Sequence, residues 1–203
     1  GQLSSGTTWH AAGLVGQLRA TESGTRLVQY SAQLYETLES ETGLGTGYRR
    51  TGTLHLAMND ARWEELLRQA TVHRSDDREI EVLDADGAVA LFPPLSPDGI
   101  RPALHYPADG RGNATDTTMA LAKGARMGGA RIFEQTAVTD VVVRGDRVVG
   151  VGTDRGDIEA EFVVNCTGMW GREFGDLAGV DLPLQALSHY YVVTEEIPGL
   201  PSN

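Results

Sequence analysis

Ser5-Gly6-Thr7-Thr8-Trp9-His10-Ala11-Ala12-Gly13 gathers one imidazole and one indole into a run of small residues. Gly6, Ala11, Ala12 and Gly13 let backbone approach a flat, bulky partner closely, while the two aromatic side chains supply shape and chemistry. A neutral imidazole near pH 7 is a nucleophile, so His10 is able to attack an electron-poor carbon. The pattern reads as a cradle. A small-residue turn with one histidine also serves ordinary packing, and the residues alone leave both readings open. Two further stretches carry reactive types. Val163-Val164-Asn165-Cys166-Thr167-Gly168-Met169-Trp170 is an apolar run broken at its carboxyl end, where open α/β sheets bind ligands. In Leu187-Ser188-His189-Tyr190-Tyr191-Val192-Val193-Thr194-Glu195, alternation puts His189 and Tyr191 on one face and Tyr190 on the other.

Other chemistries are poorly supplied. His10, His55, His73, His105 and His189 are too scattered for a helix-borne metal pair, and no metal site is expected. His55 reads as a packed or solvent-facing side chain. Ser4, Ser5 and Ser188 lack the Gly-x-Ser-x-Gly elbow of a hydrolase. Cys166 is the single cysteine, which excludes a disulfide or a cysteine-based zinc site within one chain, and it reads as a small buried hydrophobe.

Residues 5–19, Ser-Gly-Thr-Thr-Trp-His-Ala-Ala-Gly-Leu-Val-Gly-Gln-Leu-Arg, resemble the segment of the sarcosine and dimethylglycine dehydrogenases in which a histidine is bonded to the 8α-methyl group of FAD. The resemblance implies that His10 is the attachment residue and that Gly6, Thr7, Thr8, Trp9, Ala11, Ala12, Gly13 and Leu14 line the cofactor. The segment ending Asn165-Cys166-Thr167-Gly168-Met169-Trp170 is similar to a strand end of D-amino-acid-oxidase-type flavoproteins, which adds Cys166, Gly168 and Trp170. Thr167 departs from the smaller residue usual there. Val138 matches the position whose backbone meets the adenine part of FAD. The stretch at 187–195 resembles the His-x-Tyr-Val-Val-Thr-Glu strand of the sarcosine-type enzymes, implying His189 and Tyr191 as substrate-facing, catalytic residues.

The activity so implied is oxidative demethylation of a small N-methyl amino acid, hydride passing from the N-methyl carbon to flavin N5. The acceptor stays open between oxygen and an electron-transfer flavoprotein, and tetrahydrofolate would belong to a domain outside these residues. A binding or regulatory module that keeps the fold without the chemistry is the alternative. The compartment implied is the cytoplasm in a bacterium or the mitochondrial matrix in a eukaryote.

The 203 residues carry a formal net charge of −11 and 40% hydrophobic residues, with 25 glycines. That balance suits an α/β protein with many turns and argues against nucleic acid or an anionic membrane surface as partner. No stretch approaches the ~18 apolar residues of a membrane span. The N-terminal Gly1-Gln2-Leu3 gives no first strand and no Gly-x-Gly-x-x-Gly turn, so the chain reads as an internal fragment lacking the dinucleotide fingerprint. Gly43-x-Gly45-x-Gly47 follows a helix and reads as its stop.

Periodicity predicts a helix over 25–42 with Leu27, Val28, Leu34, Tyr35 and Leu38 inward, a strand within 48–58, and a helix from Asn59 or Asp60 to about Val72. Residues 74–79 form a charged connection. A short strand at 80–83, a helix at 85–91 capped by Asp84 and a strand at 103–106 follow. Asn113 caps a third long helix lined by Met119, Leu121, Ala122, Ala125 and Met127. Four β-rich runs then come at 131–135, 138–144, 147–153 and 158–166, the last buried on both faces. The fold class expected is α/β: a partial FAD-binding doubly wound domain (residues 1–42 and 111–180) interrupted by an α+β substrate-binding domain (43–110, with a strand in 181–203).

Overall fold

The computed structural model describes residues 1–17, 19, 21–73 and 80–200. Leu18 of the His10 segment and the charged connection at 74–79 lie outside the described residues. Two units divide the chain: residues 1–9 with 131–193, and residues 10–130 with those from Thr194 on. The elements are β1 (Leu14–Val15), α1 (Glu22–Thr42), β2 (Arg49–Arg50), β3 (Thr53–His55), α2 (Asp60–His73), β4 (Glu81–Leu83), α3 (Ala85–Leu91), β5 (Ala103–Tyr106), β6 (Gly110–Arg111), α4 (Ala114–Met127), β7 (Val138–Arg144), β8 (Arg147–Thr153), β9 (Ile158–Glu159) and α5 (Gly171–Leu177).

In the unit that starts at His10, side-chain caps set the helix starts. Thr21 accepts from the Gly24 amide to open α1, Asn59 from Arg62 to open α2, Asp84 from Gly87 to open α3, and Asn113 from Thr115 and Asp116 to open α4. Gly43 ends α1 in the left-handed conformation (φ 71°), its N–H donating to the Glu39 carbonyl at 2.8 Å. The buried side of α1 is Thr25, Ala32, Leu38 and Thr42, and Leu27 of the expected face is exposed. The reason is its partner. α1 packs on α4, which buries Ala120 and Ala122, and a Cβ on Gly124 would stand 3.3 Å from the Thr42 methyl. The helices meet over small side chains, so the predicted lining of Met119, Leu121, Ala125 and Met127 stays exposed.

Two antiparallel sheets belong to this unit, in the orders β1-β6-β2 and β3-β5-β4. The strand expected within 48–58 is split at Gly52 into β2 and β3, which pair with β6 and β5 respectively. Central β5 buries Ala103, Leu104 and Tyr106, and α2 lays Leu66 and Ala70 on it with Trp63 and Ile80 at the margin. Full burial of a leucine such as Leu66 contributes about 2 kcal/mol.

The other unit holds the antiparallel sheet β7-β8-β9, a hairpin turning at Gly145-Asp146 plus one short strand, with α5 packed on β7. Three expected strands are corrected here. Residues 131–135 are irregular, residues 161–166 form no strand beyond β9, and residues 187–195 form no strand. Phe162 is 78% exposed and Tyr190 93%, and Cys166, read as buried, is exposed as well. A strand exists only as part of a ladder, and no neighbouring strand pairs with these runs among the described residues. Instead Gln135 N–H donates to the Gly1 carbonyl at 2.7 Å, and Leu3 N–H donates to the Glu134 carboxylate at 2.7 Å. No helix of the described residues is long and apolar enough to cross a membrane.

Candidate functional site

The small-residue segment begins in the β7 unit with a turn closed on itself, Ser5 Oγ donating to the Gln2 carbonyl at 2.7 Å while accepting the Gln2 N–H at 3.0 Å. Gly6 and Thr7 leave that turn for a 3₁₀ turn at Thr8–His10. Gly6 faces the indole of Trp170, which a Cβ on Gly6 would meet at an ordinary 3.9 Å. Trp170 closes a second 3₁₀ turn, Gly168–Trp170, held by Asn165. The Asn165 side-chain amide donates to the Gly171 carbonyl at 2.8 Å, and its oxygen accepts from the Thr167 N–H (3.2 Å) and hydroxyl (2.8 Å). Thr167, slightly larger than the residue expected there, thus has a use: its hydroxyl ties the loop to Asn165. In this unit Trp9, Val138 at the start of β7, Cys166, Gly168 and Trp170 are all exposed, as are His189 and Tyr191 on the irregular stretch before Val193. The structure therefore brings Gly6 and Trp170 together and carries His189 and Tyr191 on a strandless segment.

His10 opens the other unit, exposed together with Ala11 and Ala12; Leu14 of β1 is 82% exposed. Gly13 has a use other than leaving room for a flat group. Its φ is +79°, a Cβ there would overlap the Gly112 carbonyl oxygen and stand 3.3 Å from its carbon, and its own carbonyl accepts the Gly112 N–H at 2.8 Å. The close approach it permits is backbone on backbone, where β1 joins β6.

Behind this junction lies a buried polar group that the sequence did not single out. Asp109 is 2% exposed. Its Oδ1 accepts the Gln17 N–H at 2.8 Å, its N–H donates to the Tyr106 carbonyl at 3.2 Å, and its carbonyl accepts from Thr51 (3.2 Å) and Gly52 (2.9 Å). Oδ2, Tyr48 Oη and Tyr106 Oη are buried, with no hydrogen-bond partner of good geometry among the described residues. Burial, reinforced by the Asp109 charge, pushes the Tyr106 phenol up to about 12. Tyr48 is raised by burial and by Glu36, with Arg50 opposing. His55 packs edge-on to Tyr106 (centroids 4.9 Å apart), and burial lowers its pKa against the opposing pull of Asp109. The Asp109-Gly110 dipeptide is a turn signal; burial of the aspartate is a product of tertiary structure.

All 203 residues match the model of the FAD dependent oxidoreductase family. The chain belongs to that family. It is 38% identical over 205 residues to mouse mitochondrial sarcosine dehydrogenase, covering 98% of this chain and 22% of that protein. It is 40% identical over 197 residues to the formaldehyde-forming 4-methylaminobutanoate oxidase of Paenarthrobacter nicotinovorans (97% of this chain, 24% of the oxidase). Mouse pyruvate dehydrogenase phosphatase regulatory subunit is 33% identical over 196 residues, covering 96% and 22%. Among solved structures, glycine oxidase from Bacillus cereus superposes with a TM-score of 0.69 at 31% identity, covering 86% of this chain and 48% of the oxidase. The α/β flavoprotein fold follows from these matches. The chain spans about a quarter of the length of its curated relatives and about half of that oxidase.

Proposed function

We propose that this chain carries flavin-facing and substrate-facing residues of an enzyme that oxidises an N-methylated amino acid with FAD, His10 being the point of covalent attachment. The observation that carries the reading is similarity over nearly the whole chain to two enzymes whose names specify methylamino substrates. The residues present fit a planar apolar group, taken unit by unit. In one, exposed Trp9, Val138 and Trp170 offer flat or branched apolar surface, and among the described residues nothing beyond its chain neighbours lies within 4 Å of where a Cβ on Gly168 would stand. In the other, Ala11 and Ala12, which follow His10 in the chain, are exposed.

When bound, FAD supplies the acceptor for a hydride from the N-methyl carbon, chemistry no side chain here possesses. His10 would tether it, and Gly6, Thr7, Thr8, Trp9, Ala11, Ala12, Leu14, Val138, Cys166, Gly168 and Trp170 would line it, Gly13 serving through the backbone. His189 would bind the substrate carboxylate or hold the amine in its reactive protonation state, and Tyr191 would face the same substrate. Residues 1–42 and 111–180 would belong to the flavin side, 43–110 and 181–203 to the substrate side. Oxygen or an electron-transfer flavoprotein would reoxidise the cofactor, and a folate domain elsewhere would take the one-carbon product. The compartment would follow the source, cytoplasm or mitochondrial matrix.

The similarity to the pyruvate dehydrogenase phosphatase regulatory subunit favours a second reading, a regulatory module that keeps the fold without the chemistry. Mass analysis separates the two. Full-length protein made with ample FAD should give an acid-stable flavin-sized increment on the peptide containing Trp9-His10, lost in His10→Ala. Wild-type protein with neither that increment nor bound yellow cofactor overturns the enzyme reading and leaves the regulatory one.

A further inference from the structure

We infer that Asp109 and Gln17 form a clasp that fixes the segment carrying His10, making both positioning residues for flavin attachment; this rests on the reading of His10 proposed above. Between His10 and Gln17 the chain is laid on residues 108–112 by four links in one unit. Gly112 N–H donates to the Gly13 carbonyl at 2.8 Å, and β1 pairs with β6 through Leu14–Arg111 and Val15–Gly110. Asp109 Oδ1 accepts the Gln17 N–H at 2.8 Å, and the Gln17 side-chain amide donates to the Ala108 carbonyl. The first two links are only as long as a two-residue strand, and isolated short pairings are weak. The last two are different in kind.

Asp109 is immobilised before it acts on Gln17. Its own N–H and carbonyl are taken by Tyr106, Thr51 and Gly52, so its carboxylate projects from a backbone tied to β5 and to the β2–β3 corner. With only 2% of its surface exposed it has no water to prefer over the Gln17 amide. A hydrogen bond to a buried carboxylate is among the stronger ones, and it fixes where the chain after Gly13 runs. A Cβ on Gly16, between clasp and strand, would stand 3.7 Å from Oδ2 and 3.8 Å from Arg19 Nη1. A buried aspartate with one oxygen lacking a hydrogen bond among the described residues is a costly way to hold a loop, which makes sense where the loop's position matters.

Attachment forms one bond, from an imidazole nitrogen to the flavin 8α-carbon. The imidazole N–H and one methyl C–H are broken, and both protons and the electron pair pass to the ring system, so FAD is its own oxidant. That reaction depends on where the imidazole is held, and placement errors near 1 Å cost up to about a hundredfold in such reactions.

The test uses full-length protein prepared flavin-free, mixed with FAD, following acid-stable flavin on the His10 peptide over time alongside reversible FAD affinity and hydrogen exchange of the Gln17 amide. In Asp109→Ala the Gln17 amide should exchange faster and attachment should slow by roughly ten- to a hundredfold, with reversible FAD affinity unchanged. Asp109→Asn keeps an acceptor oxygen but loses the charge, so attachment should slow less than in Asp109→Ala. Gln17→Ala, which removes only the second bond, should slow attachment less, and it decides the question if Asp109→Ala does not fold. Attachment at the wild-type rate in Asp109→Ala despite a freed Gln17 amide, or in Gln17→Ala where that variant decides, overturns the clasp. So does an Asp109→Asn as slow as Asp109→Ala. A wild-type protein that never attaches flavin fails the reading of His10 instead, and the two failures are told apart by that control.

Discussion

Gly13→Ala separates a glycine that makes room for a cofactor from one that lets two backbones touch. With φ at +79°, an L residue here occupies the left-handed region at a cost of about 1–2 kcal/mol. The new Cβ would also overlap the Gly112 carbonyl oxygen, 3.3 Å from its carbon, and relief requires β1 to lift from β6. That movement breaks the 2.8 Å bond from Gly112 N–H to the Gly13 carbonyl, worth about 0.5–1.5 kcal/mol. The sum is roughly 1.5–3.5 kcal/mol, and a fall of that size in unfolding free energy from urea titration of the flavin-free protein, at unchanged slope, is expected. Gly6→Ala is the control, because its Cβ would meet Trp170 at an ordinary 3.9 Å, and its stability should stay within about 0.5 kcal/mol of wild type. A Gly13→Ala protein as stable as wild type would refute the backbone-contact argument and return Gly13 to the cofactor.

Two further outcomes follow from local geometry. Burial lowers the His55 pKa below its unfolded value, so the unfolded state binds more protons once pH drops to about 6.5 and below, and stability should fall from pH 7.5 to pH 5.5. Urea midpoints at the two pH values should differ less in His55→Gln, and an unchanged difference removes His55 as the cause. Asn165→Ala loses the bond to the Gly171 carbonyl and both bonds from Thr167. On this exposed loop it should cost about 1 kcal/mol by thermal melting while raising proteolytic nicking near Thr167; unaltered cleavage would mean that Asn165 does not hold the loop.

Features encoded within a few residues of each other were legible from sequence. Asp84 and Asn113 cap α3 and α4 as read, Gly43 stops α1, and the 103–106 strand and the 138–153 hairpin stand where alternation and turn residues put them. Features that need a distant partner were not. The apolar run Phe162–Cys166 has the composition of a strand buried twice over, but composition does not supply the neighbour that makes a ladder, and Phe162 and Val164 stay exposed. The same holds for 187–195, whose alternation of His189, Tyr190 and Tyr191 is a property of a sheet face that the described residues do not build. Helix faces failed for a related reason. Hydrophobicity ranks Met119 and Leu121 above Ala120, yet close approach of α1 and α4 selects the smaller side chain, because two helices meet closely only where little stands between them. Asp109 is the sharpest case. In sequence it is one more acidic turn residue, and only the convergence of β1, β6 and the β2–β3 corner around it turns it into a buried anchor. Its neighbour Gly110 shows why the convergence is possible: a Cβ there would overlap the Arg49 carbonyl oxygen and stand 2.9 Å from the Tyr48 ring. A side chain at that position would keep β2 from closing on β6, and Asp109 would then be an ordinary solvated turn residue, as its sequence context suggests.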